Sequence, residues 1–368
     1  MSAAIFDTRA RPNLTDLVSA HSNRIKGILI ILVASDHNDW FRELLPDLFK
    51  PLTFHVLGFF FLAFTFGSKV LSGRFLLDRA ARYLVPFWWV LTIASLLFSI
   101  VVLPNADPTA RLVAWLLAMF FGNAPFVRTS SGMLMLWFLP CLFGLSSLIA
   151  LIDAVPSKHF KRLEWILAGL AHLVIPLAAA STIMWLPFGI GVALDIFVLG
   201  LIWRVISKWP LFEFWGLASL LMLVVSYGVL MMGSINIEIG TLEVFGVNRP
   251  VLMFLQDLAG LSGVVAVVWL ASKFGSIRWL DAVGRNSLLV YLLHPFAYQG
   301  CARIAARIGL NASGSWMLFF VGCVMTVMAV GSAYMLSAWI SDSPRLSKWI
   351  IPRTWQAWPP SRLIWRSN

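Results

Sequence analysis

Charge is scarce in this chain. Of its 368 residues only 12% are Asp, Glu, Lys or Arg, whereas 60% are hydrophobic and the mean hydropathy is +0.84. A soluble protein of this size needs more polar surface than that to cover a core. Cytosolic, disordered and collagen-like classes are therefore excluded. Cysteine is nearly missing as well. Cys141, Cys301 and Cys323 all lie inside apolar stretches, and an odd number so placed suits neither a disulfide framework nor a metal site. A cleavable signal peptide is not expected, because the first apolar run follows a polar leader of about twenty residues and carries no small-residue cleavage site. The chain also lacks the internal repeat common in alternating-access transporters and any stretch polar enough for a separate soluble domain.

What the chain holds in excess is apolar and aromatic, with 28 Phe and 18 Trp, a composition fitted to hydrocarbon and to the amphipathic edges of a bilayer. The net charge of +11 does not point to nucleic acid. Its Lys and Arg fall in short clusters between apolar runs, as in membrane loops. Runs of about 17 to 25 apolar residues, long enough to cross about 30 Å of hydrocarbon, occur near 25–40, 53–70, 83–103, 133–152, 165–182, 186–203, 211–232, 251–271, 286–305 and 314–339. Leu112 to Phe121 is too short to cross and reads as a re-entrant or interfacial piece. With ten alternating spans and both termini inside, most of the 28 basic residues fall on the inner side, as the positive-inside rule requires. The expectation is an all-α polytopic protein: a cytoplasmic leader over 1–22, a transmembrane domain over 23–340, and a tail over 341–368. That tail mixes Trp, Pro and Arg and reads as an interfacial anchor.

Ionisable residues inside apolar runs are costly and thus draw attention. The first run reads RIKGILIILVASDH. Lys26 and His37 are three helical turns apart, on one face and about 16 Å along the axis. Lys26 either snorkels to the headgroups or lines a path between helices. The second run opens FHVLGFFFLAF and brings His55 to the outer height of His37. Imidazoles converging at one depth make a general-base site, since His titrates near neutral pH. Asp36 neighbours His37 but points elsewhere on a helix, so it faces the outer solvent or an acceptor. Arg79 and Arg82 are three apart on one face, suited either to phosphate oxygens or simply to inner-side topology. Asp195, Asp257 and His172 read as structural polar groups in apolar runs. Arg303 and Arg307 read as a helix-end anchor, with an anionic glycan or lipid pyrophosphate as the alternative. Trp40 and Trp137 read as packing groups that could also stack on sugar rings.

Taken in order, KGILIILVASDH, FHVLGFFFLAF, FLLDRAARYLVPFW, LWFLPCLF and GRNSLLVYLLHP resemble the acyltransferase 3 family, integral membrane enzymes that move an acyl group from cytoplasmic acyl-CoA to a sugar hydroxyl outside. The resemblance runs from about Arg24 to Pro295. It implies that Lys26 and His37 are the family's basic-residue and His pair, with His37 catalytic. It also implies that Arg79 and Arg82 bind CoA, and that His55, Trp137, Tyr291 and His294 stand at recurrent family positions. Asp36 departs from the small residue usual before that His, and Ala63 and Phe64 from the usual Ser-Gly. The expected function is O-acyl transfer from acetyl-CoA, without a metal, to an extracytoplasmic polysaccharide or its lipid-linked precursor at the inner membrane. In this reading His55 and Lys26 join His37 in catalysis, Lys26 also helps Arg79 and Arg82 bind the donor, and Asp36, Trp137, Tyr291 and His294 contact the acceptor. The alternatives are a succinyl-type transfer to a periplasmic glucan and a non-enzymatic transporter of lipid-linked sugars.

Overall fold

The computed structural model describes residues 12–38, 54–66, 72–101, 107–154, 165–166, 168–170, 187–209, 213–232, 249–275, 277–307 and 315–359. Among them there is no β-strand. An all-helical chain is what hydrocarbon demands, because a helix satisfies its backbone polar groups within its own segment. The helices are α1 (Leu14–Asp36), α2 (Phe54–Phe66), α3 (Gly73–Val101), α4 (Pro108–Phe121), α5 (Ala124–Ser131), α6 (Phe138–Asp153), α7 (Ile190–Ile206), α8 (Glu213–Met232), α9 (Arg249–Lys273), α10 (Arg278–Arg285), α11 (Ser287–Arg307), α12 (Ser315–Asp342) and α13 (Pro344–Ile350). Among the described residues α1, α3 and α12 are long and apolar enough to cross a membrane, and shorter apolar helices accompany them.

Helices α1, α2, α3, α6, α7, α8, α9, α11 and α12 each overlap a span expected from the sequence. Most of the span near 165–182, together with Trp40 and His172, lies outside the described residues, as do the side chains of His55, Asp195 and Asp257. Residues 112–121 do form a short helix, α4, which begins at Pro108 under an Asp107 cap and ends at Gly122 in the left-handed conformation, φ 58°. Fourteen residues reach only about 21 Å. Two helices start well before the apolar runs that announced them. The first, α1, is opened by a capping box in which Asn13 Oδ1 accepts from the Asp16 N–H and Asp16 Oδ2 from the Asn13 N–H. For α3 the start is Gly73 rather than residue 83, since GRFLLDRAAR is polar but rich in good helix formers. Arg79 and Arg82, which precede the apolar run, are therefore part of the same helix.

The central helix is α1, packed against α2, α9, α10, α11 and α12. Its closest approach is to α10. A Cβ on Gly27 would meet the Leu280 carbonyl, and one on Gly284 would meet the Asn23 carbonyl, so both glycines are required by contact between backbones. Arg24, buried at 7% exposure, locks this junction. Its Nη1 donates to the Ala271 carbonyl at 2.8 Å and the Phe274 carbonyl at 2.5 Å, and its Nε stands 3.5 Å from Asp281 Oδ1. A cation thus meets the last carbonyls of α9, where the helix dipole favours it. Elsewhere the core is aromatic: Phe61 stacks on Trp203 at 5.1 Å, and Trp203 Nε1 donates to Thr65 Oγ1 at 2.8 Å. The outer faces carry exposed Ile93, Leu97 and Ile100 on α3 and Phe320 and Val327 on α12. In water so much apolar surface would drive association; against lipid it is matched.

Candidate active site

Two features define the site: a pair of imidazoles and a cationic cavity. His37 is the residue at which α1 stops. Its N–H still bonds the Val33 carbonyl at 3.2 Å, but its backbone has left the helix. Facing it is His294 of α11, fully buried, with Nε2 3.4 Å from His37 Nδ1 and ring centroids 5.4 Å apart. For neutral rings the hydrogen-bond partners assign the proton positions. His294 Nδ1 lies 3.2 Å from the Val290 carbonyl, which can only accept, so Nδ1 carries the hydrogen. In neutral imidazole the other nitrogen is then an acceptor. His294 Nε2 consequently accepts from His37 Nδ1–H, and the basic lone pair of His37 sits on Nε2. Pro295, which cannot continue the backbone ladder, follows directly and shapes the turn onto which His294 folds back.

The pair is held by a buried polar cluster. Asn38, wholly buried, donates through Nδ2 to the Gly322 carbonyl at 2.7 Å and Thr326 Oγ1 at 2.9 Å, and Tyr298 Oη lies 2.8 Å from the same hydroxyl. The end of α1 is thereby tied to α12, and α11 joins through Tyr298, whose ring edge faces His294 at 6.3 Å. A satisfied buried network of this kind rigidifies its members.

The cavity opens beside the middle of α1, at Ser22 and Lys26, and has a volume of about 1260 Å³. Its lining includes six cations and, among the described residues, no carboxylate: Lys26, Arg79, Arg82, Arg285, Lys348 and Arg353. Arg82, Arg285, Lys348 and Arg353 are exposed, and Lys26 is half-buried. Arg79 and Arg82 both contact Tyr83, with Arg79 Nη1 3.4 Å from its hydroxyl and the Arg82 guanidinium 5.8 Å from its ring centre. Apolar walls of Phe59, Leu142 and Phe138 lead to Tyr291. Tyr291 packs on Phe138 at 5.1 Å and on His294 at 5.9 Å. A series of touching rings thus runs from the cavity through Tyr291 and His294 to His37.

Of the residues singled out from the sequence, Lys26, Arg79, Arg82 and Tyr291 line one cavity, while His37 and His294 pair at the far end of Tyr291. Asp36 is the last residue of α1, half-buried beside His37. Trp137 ends a 3-10 turn and meets Phe138 edge-on at 6.3 Å. His55 is the second residue of α2, whose Gly58 abuts Leu29 of α1. Ala63 lines the cavity, and Phe64 packs into the space left by Gly200. Sequence reasoning missed Asn38, Tyr298 and Thr326. It counted Arg285, Lys348 and Arg353 as topology charges only. A uniformly charged cavity is visible only once distant segments meet. No cluster of His, Cys, Asp or Glu fit to hold a metal occurs among the described residues.

The described residues thus form a helical protein with membrane-spanning candidates and a cationic cavity that leads, through Tyr291, toward the His37–His294 pair. The family model described as an acyltransferase domain, that of acyltransferase 3, matches residues 22–335. The chain belongs to the acyltransferase 3 family and is a membrane acyltransferase. No curated protein and no solved structure matches it.

Proposed function

We propose that the protein transfers an acyl group, acetyl in the first instance, from cytoplasmic acyl-CoA to a hydroxyl of an extracytoplasmic polysaccharide or its lipid-linked precursor at the inner membrane. One observation carries this reading: six cations line a cavity whose inner end, at Tyr291, touches the ring of His294, and His294 touches His37. The phosphates of CoA require cationic partners, and guanidinium groups suit phosphate oxygens. The pantetheine arm is uncharged, and its gem-dimethyl and methylene groups match the walls of Phe59, Phe138 and Leu142.

The chemistry follows from the tautomers. A sugar hydroxyl is a poor nucleophile until a base takes its proton as it attacks. His37 Nε2 receives that proton while Nδ1–H remains bonded to His294 Nε2. The hydroxyl oxygen forms the new C–O bond, the C–S bond breaks, and the thiolate recovers a proton, giving an ester and free CoA. Lys26, half-buried along the same helix, accompanies the donor, and Asp36 and Trp137 contact the acceptor. The bonding of His294 to His37 suits a positioning role better than the acceptor contact expected from the sequence.

The test is glycan O-acylation in membranes carrying His37→Ala. The expected result is loss of ester with the protein still present; retention of wild-type ester content refutes the assignment. Mass spectrometry of the glycan separates acetyl from succinyl transfer. Transfer of label from acyl-CoA in detergent, where no membrane gradient exists, separates an enzyme from a transporter.

A further inference from the structure

The C-terminal segment, which reads from its composition as an interfacial anchor, also lines the cavity. After α12, Ser343 caps α13 by accepting from the Leu346 N–H at 3.4 Å. The chain then folds back along α3 through three separate contacts. The Trp349 carbonyl accepts from Trp89 Nε1 at 2.9 Å, the Trp355 N–H donates to Asp78 Oδ1 at 2.9 Å, and the Trp358 ring lies 6.4 Å from that of Trp88. Asp78 lies one residue from Arg79, so the tail is fastened beside the helical turn that holds the arginines. The result is that Ser347, Lys348, Ile351, Pro352, Arg353 and Ala357 all line the cavity. Arg345, on the same short helix, does not. The tail lies beyond residue 335, where the family match ends.

We propose that the C-terminal segment completes the donor site, with Lys348 and Arg353 as phosphate-binding residues at its mouth. This rests on the acyl-CoA reading above and adds to it. Both cations are exposed, whereas Lys26 is half-buried, so an entering donor meets the tail pair with Arg82 and Arg285 at the rim. The 5′-diphosphate and 3′-phosphate of CoA are its charged parts and belong at a wet, cationic rim. The phosphate-free pantetheine arm belongs further in, where the lining becomes aromatic. The four exposed cations share one anionic ligand, and their attraction falls with ionic strength.

The experiment uses the full chain in detergent and measures binding of CoA itself, with Lys348→Glu/Arg353→Glu as the variant and Arg345→Glu as the control. Wild type should bind CoA, the double variant about tenfold more weakly, and the control like wild type. The salt dependence of binding should be shallower in the double variant. Acyl-pantetheine, which carries no phosphate, should serve both proteins equally as donor, which separates lost phosphate contacts from a damaged fold. Unchanged CoA affinity and salt dependence in the double variant would overturn the role of the tail while leaving the donor reading intact. Wild-type protein that fails to bind CoA would overturn both. An equal loss with acyl-pantetheine would make the tail a structural support and overturn its phosphate role.

Discussion

Nε2 of His294 lies 3.4 Å from Nδ1 of His37, and the two residues are 257 positions apart in the chain. The Val290 carbonyl on the far side of His294 decides the direction of that hydrogen bond. It also decides which nitrogen of His37 is basic. A partner that sets tautomer and orientation acts on the chemical step more than on substrate binding.

Replacing His294 by Phe keeps a buried ring but removes the acceptor for His37. Steady-state kinetics should show kcat lowered by about 10- to 100-fold with the KM for acyl-CoA little changed. A rise in KM at constant kcat would instead place His294 in ground-state binding.

Arg79 and Arg82 both line the cavity from α3 and both contact Tyr83. Neutralising both to Gln should raise the KM for acyl-CoA by roughly 10- to 100-fold, about 1.4–2.8 kcal/mol for the pair, and leave the KM for an acyl-pantetheine donor in place. An unchanged dependence on acyl-CoA would reduce the two to inner-side topology charges.

Gly284 is confined by the Asn23 carbonyl of α1. Gly284→Ala forces the α1–α10 junction apart at a cost of about 1–3 kcal/mol, to be read as a lower thermal midpoint in detergent. Gly73, which has open space around its Cα, should tolerate Ala with little change.

Arg24 is fixed by two carbonyls and Asp281. Arg24→Met leaves those carbonyls and a partly buried carboxylate without their cation, at about 3 kcal/mol. Thermal unfolding should register the loss, and adding Asp281→Asn should recover part of it. If Arg24→Met melts like wild type, the junction is held by packing alone.

The apolar runs made the helical class and most helix positions legible, because hydrocarbon imposes both length and composition. Helix starts were not. Asn13 and Asp16 open α1, and the polar turns of 73–82 open α3, through capping and propensity that hydropathy ignores. At the site, Lys26 with His37 and Arg79 with Arg82 could be read as local spacings on single helices. The His37–His294 bond is tertiary, and so is the Asn38–Thr326–Tyr298 cluster. No periodicity reports them. Lys348 and Arg353 carried the same signal as any loop cation until the contacts of Trp349 and Trp355 with α3 brought them to the cavity.

The most direct measurement is the single-turnover rate of label transfer from acyl-CoA to glycan by purified wild type, His37→Ala, His294→Ala and the double variant. If the two imidazoles act as one unit, His37→Ala loses about 10²–10⁴-fold, and adding His294→Ala costs little more. Wild-type turnover in His37→Ala, or losses that multiply in the double variant, would contradict the account.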